Sequence, residues 1–182
     1  MNKYLIIIGI ALLFCWSCKS PEARRPESIS SGSFIKESVE RNKELFAKEK
    51  SSFEELMKAH PDRDYITSQN GFWYYYINKV NDSLSTPEFG DIVNFDYNIQ
   101  HLNGSTIYTK SELKTQSYAM DQQEIFTGLR EGLKLMKTGE TVTFLFPSQK
   151  AYGYYGDSNK IGINVPLICE VTVNSIEKNQ SN

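Results

Sequence analysis

An aromatic, glycine-rich loop, Ala151-Tyr152-Gly153-Tyr154-Tyr155-Gly156, is the segment whose residue types bear most directly on chemistry. Its three tyrosines offer flat apolar rings together with hydroxyl groups that can donate or accept hydrogen bonds. Loops often hold binding residues, and aromatic surface exposed to solvent marks interaction sites. The composition therefore favours a binding surface, while plain loop aromatics would show the same composition.

The chain lacks the residue patterns of hydrolytic or metal-dependent chemistry. His60 and His101 have no Cys, His or carboxylate at ligand spacing, and no Ser-His-Asp or Cys-His arrangement is evident. We therefore expect no metal and no cofactor. The net charge is −2 with interspersed signs, which disfavours nucleic acid as a partner because nucleic-acid binding needs a clustered basic face.

The segment before the loop is predicted to be a short helix followed by a strand. Residues 124–136 place apolar side chains at helical spacing, and residues 141–146 alternate as in a strand with one inward face. The helical stripe consists of Ile125, Leu129, Leu133 and Met136, and the inward strand face of Val142, Phe144 and Phe146.

The remaining strands have similar patterns and together indicate the fold class. They are predicted at residues 72–77, from Gly90 with Val93, Phe95, Tyr97 and Ile99 inward, at 115–120, and after Pro166 with Leu167, Cys169, Val171 and Val173 inward. Strands predominate, a single central helix interrupts them, and the links are short. This order predicts an α+β fold, an antiparallel sheet curved over a helix.

An amphipathic helix is predicted over residues 34–60, ended by Pro61. Its apolar positions, which include Ile35, Val39, Phe46 and Phe53, recur among Glu and Lys. The helix could dock a partner or a second copy, or it could pack on its own domain. The narrow stripe, which is not sustained over enough heptads for a coiled coil, favours packing on its own domain.

The N-terminus is typical of an exported protein. Lys3 precedes an apolar run, Leu5–Phe14, that is about half the length needed to span a bilayer, so it is interpreted as a signal peptide. Ser17-Cys18 then resembles a bacterial lipobox, although Cys15 stands where Leu is usual. This predicts lipidation of Cys18 and a lipid-anchored, periplasm-facing protein of the cell envelope. A soluble secreted protein cut elsewhere is the alternative.

Composition divides the chain into four segments. Residues 1–17 are the predicted signal peptide, and residues 18–33, rich in Ser, Pro and charge, are a flexible tether. Residues 34–70 form the N-terminal helical segment, and residues 71–178 form the principal domain.

The order of motifs around the helix resembles the FK506-binding class of peptidyl-prolyl cis-trans isomerases. In this sequence the pattern is Gly128-Leu129-Arg130-Glu131-Gly132, Met136, Gly139-Glu140, an apolar strand, then Pro147 and Ala151-Tyr152-Gly153. The resemblance covers about residues 88–177. It implies an FKBP-like sheet over a central helix, and an enzyme that binds proline-containing polypeptides and isomerises the bond before proline without a cofactor.

The same resemblance implies roles for particular residues. Tyr97 matches a pocket tyrosine, Phe126 a residue whose backbone N–H binds the substrate carbonyl, and Tyr152 a tyrosine whose hydroxyl bonds the bound chain. These three are the catalytic candidates. The substrate-binding candidates are Ile107, Tyr108, Ile125, Leu129, Ile161 and Cys169.

Several positions depart from the family pattern. Ile107-Tyr108 replaces a Phe-Asp pair, so the acidic partner of the site is lost; Leu129 replaces the usual Trp floor, and Cys169 replaces a wall phenylalanine. A wider and less aromatic pocket is expected to weaken isomerase activity and the binding of FK506-like macrolides. The alternative is a non-catalytic peptide-binding or assembly lipoprotein of the same fold.

A closer resemblance concerns the gliding-motility-associated lipoprotein isomerases of Bacteroidetes. It depends on the lipoprotein signal, Arg41-Asn42-Lys43 in the charged helix, the aromatic strand at residues 71–76, and Asp96-Tyr97-Asn98-Ile99 with Ile107-Tyr108. It implies that the protein assists the folding of exported envelope proteins, in connection with gliding.

Overall fold

The computed structural model describes residues 31–81 and 84–179, with side chains from residue 34 onward. The chain divides between residues 38 and 39 into two units, and the sheet and every site discussed below belong to the second. The elements are α1 (Ser31–Ala59), β1 (Ile66–Thr67), β2 (Trp73–Asn78), β3 (Ile92–Tyr97), β4 (Ile99–Gln100), β5 (Thr106–Tyr108), α2 (Lys110–Leu113), β6 (Gln116–Ala119), α3 (Thr127–Leu133), β7 (Thr141–Phe146), a 3-10 turn (Ser148–Lys150) and β8 (Leu167–Glu177).

The strands form one antiparallel sheet in the order β1-β2-β7-β8-β3-β6, with β4 beside β8 and β5 beside β4. The predicted α+β class, an antiparallel sheet with a central helix, is therefore confirmed. The inward positions predicted on β8, namely Leu167, Cys169, Val171 and Val173, are all fully buried.

Helix α3 lies over the sheet at close range. Leu129 and Leu133 are fully buried in one cluster with Phe144 and Phe146 of β7. A Cβ at Gly128 would lie 2.6 Å from the Phe146 ring and 2.7 Å from the carbonyl oxygen of Lys150. Only glycine permits this approach, because real Cβ atoms do not come so close to other heavy atoms.

The predicted bounds of this helix, residues 124–136, are wrong at both ends. Phe126 has φ −62° and ψ 143°, an extended conformation, so α3 begins at Thr127. After Leu133 the chain continues with tighter turns, in which Leu135 and Met136 donate to the carbonyls of Gly132 and Leu133. The apolar stripe predicted for residues 124–136 therefore continues beyond the helix itself.

Helix α1 begins at Ser31, three residues before the predicted start, and ends at Ala59. Its Phe53 is fully buried and packs on Trp73 of β2, with ring centroids 5.2 Å apart. Earlier in the helix Val39 and Phe46 are 47% and 37% exposed. The second half therefore packs on its own domain, as the narrow apolar stripe favoured.

The four-segment division of the chain stays a prediction. The signal peptide, most of the tether and Cys18 lie outside the described residues. Among the helices that the structure does describe, none is both long enough and apolar enough to cross a bilayer.

Candidate functional site

Three aromatic rings meet where the extended residue before α3 faces the loop after β7. The Phe126 ring lies 5.1 Å from the Tyr152 ring and 5.5 Å from the Phe146 ring, centroid to centroid. Phe126 and Tyr152 border a cavity of about 320 Å³, which is also lined by Tyr97 and Ile125. The cavity thus brings together the three catalytic candidates and one of the substrate-binding candidates.

The cavity offers hydrogen-bond donors that the described part of the chain does not use. Within residues 31–81 and 84–179, neither the backbone N–H of Phe126 nor the hydroxyls of Tyr97 and Tyr152 make a hydrogen bond. The carbonyl of Phe126, in contrast, accepts from the N–H groups of Leu129 and Arg130. These donors are therefore available for hydrogen bonds to a ligand in the cavity.

Burial keeps both tyrosine hydroxyls protonated. Desolvation, followed by the nearby Cys169 and Tyr108, raises the pKa of Tyr97 to about 12. Desolvation also raises the pKa of Tyr152 well above its usual range, assisted by Tyr97, Cys169, Asp157 and Tyr108 in turn. At neutral pH both groups are neutral hydroxyls able to donate.

The replacement of a Phe-Asp pair by Ile107-Tyr108 predicted a site without an acid, but Asp157 supplies a carboxylate beside Tyr108. The Tyr108 hydroxyl donates a short hydrogen bond to Asp157 Oδ2. Burial alone would raise the pKa of Asp157, but hydrogen bonds from Tyr108 and from the N–H groups of Ile161 and Asn159 outweigh it and lower that pKa. The same hydrogen bond to Asp157 raises the pKa of Tyr108. A carboxylate from the loop after Tyr152 therefore lies beside Tyr108.

A second set of contacts holds the same loop against α2. Lys160 Nζ lies 2.5 Å from Glu112 Oε1, donates to the carbonyl of Ile107 at 3.3 Å, and sits 4.7 Å above the centre of the Tyr108 ring. Glu112 also closes a capping box with Thr109 at the start of α2. Thr-x-x-Glu at residues 109–112 is the sequence signature of this box.

Four of the other substrate-binding candidates lie deeper. Leu129 and Cys169 are fully buried, Ile161 is 3% exposed and Ile107 is 7% exposed, all in the cluster beneath the cavity. Burial raises the pKa of the Cys169 thiol above its usual range, so it stays a neutral thiol. In this conformation Leu129 and Cys169 present no surface to a ligand, and their contact with substrate stays a prediction.

Comparison with known proteins supports one family. Residues 84–174, which are 91 of the 182 residues, match the family described as FKBP-type peptidyl-prolyl cis-trans isomerase. This chain therefore belongs to the FKBP-type peptidyl-prolyl cis-trans isomerase family.

Two curated relatives are similar over much of the chain. One, the probable FKBP-type peptidyl-prolyl cis-trans isomerase FkpA of Neisseria meningitidis serogroup B, is 28% identical over 133 residues, covering 73% of this chain and 48% of the relative. FkpA of Aeromonas hydrophila is 27% identical over 125 residues, covering 69% and 46%. The chain thus spans about half the length of the curated relatives it matches.

Two solved structures share the fold. The crystal structure of FkpA from Escherichia coli superimposes with a TM-score of 0.60 at 20% identity, covering 97% of this chain and 83% of that one. A peptidyl-prolyl cis-trans isomerase from Pseudomonas syringae pv. tomato gives a TM-score of 0.58 at 17% identity, covering 75% and 96%. At these identities the likeness concerns the fold alone.

Proposed function

We propose that this protein catalyses cis-trans isomerisation of X-Pro bonds in polypeptides bound at the cavity between Phe126 and Tyr152. The main support is geometric. Within the described residues, the Phe126 N–H and the Tyr152 hydroxyl are donors without an acceptor, and their rings lie 5.1 Å apart. Two neighbouring donors beside aromatic rings suit a peptide carbonyl next to an apolar proline ring.

The reaction needs no nucleophile. Rotation about the X-Pro bond has a barrier of roughly 18–20 kcal/mol because the C–N bond is partly double. In the twisted transition state amide resonance is lost, so the carbonyl oxygen is less negative than in either ground state. The aromatic rings of Tyr97, Phe126 and Tyr152 that line the cavity favour this less polar state, and the fixed donors orient the substrate.

The protonation states fit this role. Because burial raises the pKa of Tyr97 to about 12 and also raises that of Tyr152, both hydroxyls stay protonated across the neutral range. We therefore expect a rate that is independent of pH around neutrality, apart from the titration of the substrate itself.

The experiment that tests this function is a protease-free measurement of cis-trans exchange. The purified chain is added to a short X-Pro peptide, and the exchange rate is followed by NMR, with the uncatalysed rate of about 0.01 per second as the baseline. A rate that rises in proportion to protein concentration supports the enzyme. Binding of the peptide with no rise in rate contradicts it.

That contrary result would support a second candidate, a peptide-binding module without turnover. Two observations favour this candidate. Leu129 and Cys169, at positions where the resemblance implies aromatic rings, are fully buried and do not line the cavity. Tyr108 also stands where the family has an acid, although Asp157 places a carboxylate beside it.

For the cellular setting, we propose a lipid-anchored envelope protein that assists the folding of exported proteins, where slow proline steps limit the rate. The support is the short apolar run followed by Ser17-Cys18. Two or more acyl chains would hold the protein stably, since one chain binds only marginally. Cys18→Ser is expected to release mature protein into the soluble envelope fraction or to leave an uncut precursor. Mature protein that still fractionates with membrane would contradict the anchor.

The resemblance to gliding-associated lipoproteins extends the proposal to motility. Its support is Ile107-Tyr108, together with the lipoprotein signal and the aromatic strand. Deleting the gene in its own bacterium should reduce colony spreading, and an allele encoding Tyr152→Phe should restore it only in part. Normal spreading of the deletion strain would contradict this role.

A further inference from the structure

Two adjacent tyrosines beside the cavity are left open to solvent. Tyr154 is 70% exposed and Tyr155 is 87% exposed, and their rings pack edge to face with centroids 5.7 Å apart. A Tyr side chain can bury more than 150 Å² of surface in a contact, and Tyr is enriched at the energetic centres of interfaces. The pair therefore forms a ready aromatic surface that the described part of the chain leaves uncovered.

The loop that carries the pair is held firmly at both ends. Gly153 donates its N–H to the carbonyl of Ser148 at 2.9 Å and accepts from the N–H of Asn164 at 2.7 Å. Asp157 and Ile161 are bonded to each other, by the Asp157 N–H to the Ile161 carbonyl at 3.1 Å and by the Ile161 N–H to Asp157 Oδ1 at 2.7 Å. Less conformational entropy is lost on binding when the binding surface is already ordered.

Glycine is required within this loop. Gly156 has φ +67°, and a Cβ there would lie 2.3 Å from the carbonyl oxygen of Ile161. Any other residue would force this turn open and move the two tyrosines. The backbone is thus adapted to place them where they are.

The position of the pair relative to the site suggests what it binds. Tyr155 follows Tyr152 by three residues, so their Cα atoms lie within about 11 Å, the reach of three extended residues. A polypeptide with its proline in the cavity covers a distance of up to about 11 Å within three extended residues of its own.

We propose that Tyr154 and Tyr155 form a second contact for the same polypeptide, and that they take a large apolar or aromatic side chain within about three residues of the proline. This inference rests on the proposed function and adds a sequence preference to it. The preference would direct the protein to unfolded chains, in which apolar side chains and prolines are exposed together.

A polypeptide suits the surface better than a membrane does. Tyrosines that bind lipid headgroups are accompanied by free Lys or Arg. Here the neighbouring Lys160 is paired with Glu112, and the Asp157 carboxylate lies in the same loop. The chain as a whole is acidic, with a net charge of −2.

The test compares peptides that share one X-Pro core. One peptide is the bare core, and the others extend it by three residues on either side, ending in Phe or in Ser. For the parent we expect kcat/KM on one Phe-ended peptide to exceed that on its Ser-ended counterpart by about 2- to 12-fold, the range of an aromatic pair. The ratio should fall to about one in the double variant Tyr154→Ser/Tyr155→Ser.

Ile77→Ser is the control, because Ile77 is 54% exposed and lies beside the start of β7, at the opposite end of that strand from the loop after Phe146. It should keep the preference. An equal ratio in parent and double variant, or no preference for Phe in the parent, would overturn the proposal.

Failure of the proposed function gives a different pattern. If the bare core is not isomerised at all, the proposed isomerase function is contradicted. Fluorescence anisotropy of the labelled Phe-ended peptide then still tests whether Tyr154 and Tyr155 bind the peptide. Weaker binding by the double variant would support the surface without turnover. Unchanged peptide binding, or a loss confined to binding of anionic phospholipid vesicles, would overturn it.

Discussion

The central strands β2 and β7 carry large side chains on both faces, and the two faces have different neighbours. On the first, which we call the site face, Phe144 and Phe146 pack under α3 in the large buried cluster that lies beneath the cavity. On the opposite face, which we call the α1 face, Phe53 of α1 packs with Trp73 and Leu145 in a smaller buried cluster. The site face is therefore both the main core and the support of the site, whereas the α1 face attaches a helix.

A buried hydrogen bond connects α1 to the turn that precedes the site loop. Glu49 of α1 is 5% exposed, and its Oε2 accepts the backbone N–H of Ser148 at 2.9 Å. The carbonyl of Ser148 accepts in turn from Ala151 and Gly153, on either side of Tyr152. We therefore expect changes at Glu49 on the α1 face to reach the site through this link.

The largest expected effect comes from removing a ring on the site face. Phe144→Ala should lower the free energy of unfolding by about 5 kcal/mol, the upper end for a buried Phe, because the dense surroundings cannot collapse into the space. Isomerase activity should fall with it. Urea unfolding and peptide exchange on the same samples give both quantities.

Phe53→Ala is the matched change on the α1 face, since both rings are fully buried. We expect a loss of about 3 kcal/mol, the lower end, because a small cluster under a helix can relax. The rate of the folded protein should stay near that of the parent. A loss of rate as large as that for Phe144→Ala would show that the faces are not separate.

A smaller effect on the site face is expected from a single methyl group. Gly128→Ala puts a Cβ 2.6 Å from the Phe146 ring and 2.7 Å from a backbone oxygen. The resulting overpacking should cost about 3 kcal/mol. It outweighs the roughly 1 kcal/mol that alanine gains over glycine in a helix.

Gly132→Ala in the same helix is the control. Its Cβ would come no closer than 3.0 Å, to the Phe144 ring, which can shift slightly. We expect a change near zero in the same unfolding experiment. A larger loss of stability for Gly132→Ala than for Gly128→Ala would contradict the close contact of α3 with the sheet at Gly128.

Removing the hydrogen bond between Glu49 and Ser148 is expected to have a smaller effect on stability. Glu49→Ala leaves the Ser148 N–H without its acceptor in a buried place, which should cost about 1–2 kcal/mol. It should also raise KM for the peptide, because the turn before Tyr152 loosens. Glu49→Gln keeps an acceptor, so its stability and its KM should lie close to those of the parent.

Glu54→Ala is the control for that change, because Glu54 forms an exposed pair with Lys50 at 3.8 Å. Surface changes of this kind are usually within about 0.5 kcal/mol. A rise in KM for Glu54→Ala equal to that for Glu49→Ala would mean that α1 acts on the site in some other way.

Periodicity predicted the site face well and the α1 face poorly. Alternation placed Val142, Phe144 and Phe146 inward because one covered face is enough to produce it. Thr143 and Leu145 are buried as well, since α1 covers the second face. That cover comes from a segment almost a hundred residues earlier, and local patterning contains no information on it.

The candidate site shows the same division between local and distant information. The catalytic candidates came from the resemblance to a family pattern of motifs, and the fold does bring Tyr97, Phe126 and Tyr152 to one cavity. Asp157 was missed because it belongs to no motif of that pattern, and its bond to Tyr108 spans 49 residues. The helix start was misplaced because Phe126, with helical apolar spacing, is held extended at the site; local rules often fail at functional positions.

The most direct test of the site at Tyr152 applies one chemical change to each of the two faces. Tyr152→Phe on the site face and Tyr75→Phe on the α1 face each remove a hydroxyl and keep the ring. One positioned hydrogen bond is worth about 0.5–1.5 kcal/mol, so Tyr152→Phe should lower kcat/KM for the X-Pro peptide by about 2- to 12-fold. Tyr75→Phe should leave it unchanged. Equal values for both variants and the parent, or a parent without any rate above background, would contradict the claim that the Tyr152 cavity isomerises proline bonds.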